Sequence, residues 1–114
     1  PLATAAGFAT LQTIEEENLR AHAQAMGDVI CNGLRAALKG VAGVNIIRNA
    51  GLMIGVELNR PCGDLVKRAL AEKLLINVTA DNVVRLLPPL VINQNEAEQL
   101  VEILAKLIKQ FLSE

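Results

Sequence analysis

Few side chains in this sequence are of a type that does chemistry, and their counts exclude much. His22 is the only histidine, and Ser113, one residue from the end, is the only serine. A Ser-His-Asp hydrolase cannot be assembled from these parts. Cys31 and Cys62, the only thiols, stand 31 residues apart, and with one histidine they fall short of the usual four-ligand zinc set. They read as two small apolar residues of a reducing compartment, not as a disulfide framework, and no metal site is expected. Gly51 and Gly55 are too few for a phosphate-cradling loop. They read as a turn glycine and a strand glycine that permits close approach. Asn77-Val78-Thr79 matches a glycosylation acceptor but reads as chance in a sequence with no secretion signal. Glu15, Glu16 and Glu17 read as solvated charge at a helix end or in a first helical turn. His22, beside an apolar helical stripe, reads as a surface or interface residue.

Arg85 departs from this pattern. It lies within Val83-Val84-Arg85-Leu86-Leu87-Pro88-Pro89-Leu90, otherwise wholly apolar. Alternation places it on the face of Val83 and Leu87. A desolvated guanidinium needs an anionic partner. Three readings stay open: a ligand anion, an ion pair with Glu57, or an edge-strand arginine reaching water.

The elements that must position Arg85 follow from periodicity. Pro1 to Ile14 is rich in Ala and Leu and opens on a residue favoured at the first helical position. A second helix is expected from near Asn18 to Lys39. Its apolar stripe is Leu19, Ala23, Met26, Ile30, Leu34 and Leu38, and Gly40 stops it. Val44 to Arg48 is β-branched, and Leu52, Ile54, Val56 and Leu58 alternate with other residues, which is the period of a half-buried strand. Asn49-Ala50-Gly51 is turn-like and fits an antiparallel pair. Asp64 can cap a helix ending near Lys73. Leu75 to Val78 and Val83 to Leu87 read as two more strands joined by a polar turn, and Pro88-Pro89 ends the ladder. Asn93 and Glu96 have the spacing of a capping box ahead of a last amphipathic helix, whose apolar face includes Ala97, Leu100, Leu104 and Ile108. The expected fold is α+β, with helices packed on a small, mostly antiparallel four-stranded sheet.

Composition narrows the partners. A net charge of −1 lacks the clustered Lys and Arg that phosphate neutralisation requires, so nucleic acid is not expected. Phe8 and Phe111 are the only aromatic residues, which removes a base-stacking platform. No stretch approaches the roughly 18–20 apolar residues of a membrane span. The sequence opens on Pro1 rather than Met and runs directly into helix-like residues, so it reads as a piece of something longer.

Three motifs in order carry a family resemblance. Pro1-Leu2-Ala3-Thr4-Ala5-Ala6, then Gly51-Leu52-Met53-Ile54-Gly55-Val56-Glu57-Leu58, then Leu74 to Thr79 followed by Val84-Arg85-Leu86-Leu87-Pro88-Pro89-Leu90, resemble the class III, pyridoxal-phosphate-dependent aminotransferases. The resemblance covers the whole chain and is nearest the branch acting on N-acetylornithine in arginine biosynthesis. Asn49-Ala50 departs from the Gly-x that relatives often carry before Gly51. The resemblance implies that residues 1–114 are the C-terminal small domain of a fold-type-I enzyme. Residues 1–39 would be a helical segment leading into it, and 40–114 the sheet layer and final helix. It implies a cytoplasmic homodimer with an upstream large domain, small amino-acid and 2-oxo-acid substrates, and pyridoxal phosphate held upstream by a lysine. None of Lys39, Lys67, Lys73, Lys106 or Lys109 sits in a context resembling that lysine, so no catalytic or cofactor-binding residue is expected in this chain. Arg85 would bind a substrate α-carboxylate, because an arginine fork grips a carboxylate through two parallel hydrogen bonds. Branches acting on succinylornithine, ornithine or 4-aminobutyrate are alternatives, as is a free-standing regulatory module binding a small acid at Arg85.

Overall fold

The computed structural model describes the chain from Leu2 onward, with side chains from Asn18. Its first element is one helix, α1 (Leu2–Ala37), where the sequence suggests two separated near Glu15 to Glu17. No Gly or Pro occurs between Phe8 and Met26, and Ala, Leu, Glu and Gln all favour the helix, so nothing interrupts the backbone ladder there. Pro1 lies outside the described residues. The stripe Ala23, Met26, Ile30, Leu34 and Leu38 is buried as expected, whereas Leu19 remains exposed. Gly40, at φ +78°, turns the chain after the helix.

Strands β1 (Val44–Ala50) and β2 (Met53–Leu58) follow. The hairpin loop is Gly51-Leu52, since Ala50 pairs with Met53 and Asn49 with Ile54. The turn therefore sits one to two residues later than Asn49-Ala50-Gly51 suggests. Gly51 takes the positive φ, +56°, that a two-residue hairpin loop needs at its first position.

Helix α2 (Asp64–Ala71) begins after Gly63 with no side-chain cap. Asp64 does not serve as the expected cap: its carboxylate instead accepts from Arg68 Nε at 2.7 Å, one turn along. The helix closes with the amides of Lys73 and Leu74 donating to the carbonyls of Leu70 and Ala69. Lys73 occupies the left-handed position usually given to glycine, at φ +62°.

Strand β3 (Asn77–Thr79) starts two residues later than expected, and β4 (Val83–Leu86) ends one residue earlier. Both differences have one cause. The Leu87-Pro88-Pro89 segment leaves the ladder, so Leu75 has no strand residue to pair with. Helix α3 (Gln94–Leu112) opens on the expected capping box: Glu96 N donates to Asn93 Oδ1 at 2.8 Å, and Asn93 N donates to Glu96 Oε1 at 3.1 Å.

The sheet order is β1-β2-β4-β3 and every neighbouring pair is antiparallel. Ile54, Val56, Leu58, Val84 and Leu86 form a single core with the inner faces of α1, α2 and α3. The helices thus cover one face of the sheet, and the opposite face carries the partly buried and exposed strand residues. Among the described residues, no helix is long and apolar enough to cross a membrane.

Candidate functional site

Arg85 projects from the open face of the sheet, because its neighbours Val84 and Leu86 are buried in the core on the other side. The expected face is correct. The edge position is not, since β4 lies between β2 and β3, although the side chain does reach water as that alternative held. An ion pair with Glu57 does not form either: the salt bridges among the described residues join Arg68 to Asp64 and Glu114. Arg85 is exposed, and its guanidinium has no hydrogen-bond or ion-pair partner among the described residues.

Register extends this site across the whole sheet. Arg85 pairs with Gly55 on β2 and with Asn77 on β3, and Gly55 in turn pairs with Arg48 on β1. The row Arg48, Gly55, Arg85, Asn77 therefore crosses all four strands on one face. Two shallow clefts meet at Arg85 and Met53. One, of about 400 Å³, also reaches Arg48, Gly55 and Thr79. The other, of about 420 Å³, reaches Leu75, Asn77 and Leu87. Sequence reading passed over Arg48 as a strand end. The signal that finds it is register: a two-residue loop at Gly51-Leu52 puts position 48 opposite 55.

The helix layer fixes the β1–β2 hairpin that carries Arg48. At Gly27, an added Cβ would stand 1.8 Å from the Gly51 carbonyl oxygen. Helix and turn therefore meet backbone to backbone. Beside this contact, Asn49 Nδ2 donates to Asp28 Oδ1 and to the Gly51 carbonyl, each at 3.1 Å, and Gln24 donates to the same Asp28 oxygen at 2.9 Å. Asn49, part of the departure from Gly-x, is a tether. His22 is another. Its Nε2 lies 2.6 Å from the Ile92 carbonyl, and the imidazole N–H donates there, holding the segment after Pro88-Pro89 against α1.

The remaining reactive types lie elsewhere. Cys31 and Cys62 are buried and unpaired, and burial pushes both thiols above their ordinary pKa, which keeps them inert. No cluster of metal-binding side chains occurs among the described residues. Lys39, Lys67, Lys73, Lys106 and Lys109 are all exposed, and none lines either cleft. With Glu57 as the one acidic residue in the four strands, the face can bind and orient an anion. Among the described residues, no cysteine, lysine or histidine lines either cleft, and the Thr79 hydroxyl there has no histidine base beside it.

A family model described as "Aminotransferase class-III" matches residues 1–108. The sequence is 52% identical over 114 residues to acetylornithine aminotransferase 1 of Bordetella bronchiseptica, covering 100% of this chain and 29% of that protein. It is 43% identical over 112 residues to acetylornithine aminotransferase of Nitrosomonas europaea, covering 98% of this chain and 28% of that one. Among solved structures, ornithine aminotransferase from Toxoplasma gondii superposes with a TM-score of 0.79 at 28% identity, over 99% of this chain and 28% of that one. The chain thus spans under a third of the length of the curated relatives it matches.

Proposed function

Since the chain belongs to the class III aminotransferase family, we propose that it is the C-terminal small domain of such an enzyme and that Arg85 anchors a substrate carboxylate. The observation that carries this reading is a guanidinium with no partner among the described residues, on an inner strand of a sheet face that those residues leave open. The amino donor is N-acetylornithine and the acceptor 2-oxoglutarate, a reaction of arginine biosynthesis; identity to acetylornithine aminotransferases over the whole chain supports this choice. Both molecules carry an α-carboxylate, so one arginine can serve both halves of the reaction. Pyridoxal phosphate supplies the electronic chemistry in this family. The lysine that would hold it belongs to the remaining two thirds of the enzyme, and this chain alone does not transfer amino groups. The functional unit is a cytoplasmic homodimer. The two unpaired thiols agree with a reducing compartment.

The test is Arg85→Ala in the full-length enzyme, read by single-turnover kinetics of each half-reaction. Truncating one partner of a desolvated, hydrogen-bonded charge pair costs about 2–5 kcal/mol. That corresponds to roughly 30- to several-thousand-fold in kcat/KM for both substrates. Arg85→Lys loses most of the same amount, because an ammonium has no planar fork. The absorbance of the resting cofactor stays unchanged in both variants. Near-wild-type turnover by Arg85→Ala would withdraw the carboxylate assignment.

A further inference from the structure

We propose that Arg48 is a positioning residue of the Arg85 cleft, a second positive charge that draws small carboxylates onto Arg85. This rests on the reading of Arg85 given above and adds a residue to the same site. Arg48 and Arg85 share one row of the sheet and line one cleft. Two strand spacings separate their backbones, about 10 Å. The residue between them is Gly55, so no side chain rises from the floor. A Cβ built there would stand 4.0 Å from Arg48 Cγ and 3.8 Å from Val83 Cγ1. The Arg48 stem therefore lies alongside the gap that faces Arg85.

Charge is the second observation. Three other arginines, Arg68 with Asp64 and Glu114, Arg35 with Asn32 and the Ile47 carbonyl, and Arg60 with Asn59, are engaged within the chain, and Arg20 lies away on α1. Arg48 and Arg85 have no hydrogen-bond partner among the described residues and are both exposed. The four strands hold Glu57 as their one acid, and it pairs with neither arginine. Two like charges set side by side raise the local potential, and a cleft lined by one sign of charge concentrates oppositely charged ligands. The tethering of the hairpin by Asn49 and Gly27 keeps Arg48 at this station. Direct bidentate grip belongs to Arg85; the role of Arg48 is set by its charge and place.

The experiment uses the full-length holoenzyme and glutarate, a dicarboxylate with neither the carbonyl nor the amine that would react. Its dissociation constant is measured by calorimetry from low to physiological salt. Arg48→Gln is expected to weaken binding about 3- to 10-fold at low salt and to flatten the salt dependence. Arg48→Lys should retain most of the affinity, because steering needs charge and not a fork, whereas Arg85→Lys should not. Unchanged affinity and salt slope in Arg48→Gln would overturn the proposal. So would a loss equal at low and high salt with a lowered Tm, the mark of an arginine paired with an acid elsewhere in the enzyme. Intact glutarate binding in Arg85→Ala would instead remove the reading of Arg85, and with it this role of Arg48.

Discussion

Arg85 was conspicuous in the sequence because it is a charge within an apolar run; Arg48, its partner in the row, was not. The difference is physical. A misplaced charge is a local signal, but a row across a sheet is a product of register, and a one-residue shift in a turn reassigns every partner. Gly27 was equally silent, since a glycine inside a helix does not disclose what packs on it. Its environment now yields a prediction. Gly→Ala in a helix ordinarily gains about 1 kcal/mol of helix propensity. At position 27 the new methyl would overlap the Gly51 carbonyl, a backbone group that cannot rotate aside. Overpacking of this kind costs typically about 1–3 kcal/mol and outweighs the gain. Gly27→Ala should therefore lower the urea midpoint of the full-length enzyme. It should also weaken carboxylate binding, because the displaced hairpin carries Arg48. A midpoint at or above wild type would show that the helix and hairpin can separate freely.

At the scale of elements, patterns that repeat were legible and junctions were not. The capping box of α3, the antiparallel β1–β2 pair and the stop at Gly40 followed from spacing and turn chemistry. The continuity of α1 did not, since a run of acids resembles a helix end when its surroundings are unknown. Nor did the anchoring of α2 to the chain terminus. Arg68 donates to both carboxylate oxygens of Glu114, Nη2 to Oε1 at 2.6 Å, while its guanidinium lies 5.6 Å from the centre of the Phe111 ring. The arginine holds the Glu114 carboxyl below the usual range. A depressed folded pKa means stability that is present above the unfolded value, about 4.3, and is lost as pH falls through the lower folded value. Glu114→Gln should thus have a lower denaturation midpoint than wild type at pH 7. The gap should close as the pH is taken below 4 in a urea titration series. A gap that stays constant with pH would assign the effect to packing on Phe111 rather than to charge. Because Glu114 is exposed and Arg68 only partly buried, the effect should also shrink with added salt.

For the molecule as a whole, the helices bury one face of the sheet, and apolar side chains are left around the other side. Leu75 is 80% exposed and Leu87 76%, with Met53 half exposed. Leu75, Leu87 and Met53 line the second cleft beside Arg85, so the free guanidinium sits within an apolar rim. Contiguous apolar surface of this kind on a small domain marks a contact that the described residues do not provide. On the reading proposed above, the rest of the enzyme covers it and, in doing so, desolvates Arg85. That closure converts an exposed arginine, whose pairing would contribute little in water, into one with a large share of carboxylate affinity. The 114-residue chain expressed alone should accordingly self-associate. Its weight-average mass in sedimentation equilibrium should rise with concentration. Replacing Leu75 and Leu87 together by Lys should return it to the monomer, since both side chains point into solvent and neither belongs to the core. The same pair of lysines in the full-length enzyme should do the reverse of a benefit, lowering Tm by placing unpaired charge in a buried junction. A wild-type chain that stays strictly monomeric at all concentrations, together with a full-length double variant of unchanged Tm, would show that this rim faces water in the enzyme. The large penalty expected for Arg85→Ala would then lose its physical basis.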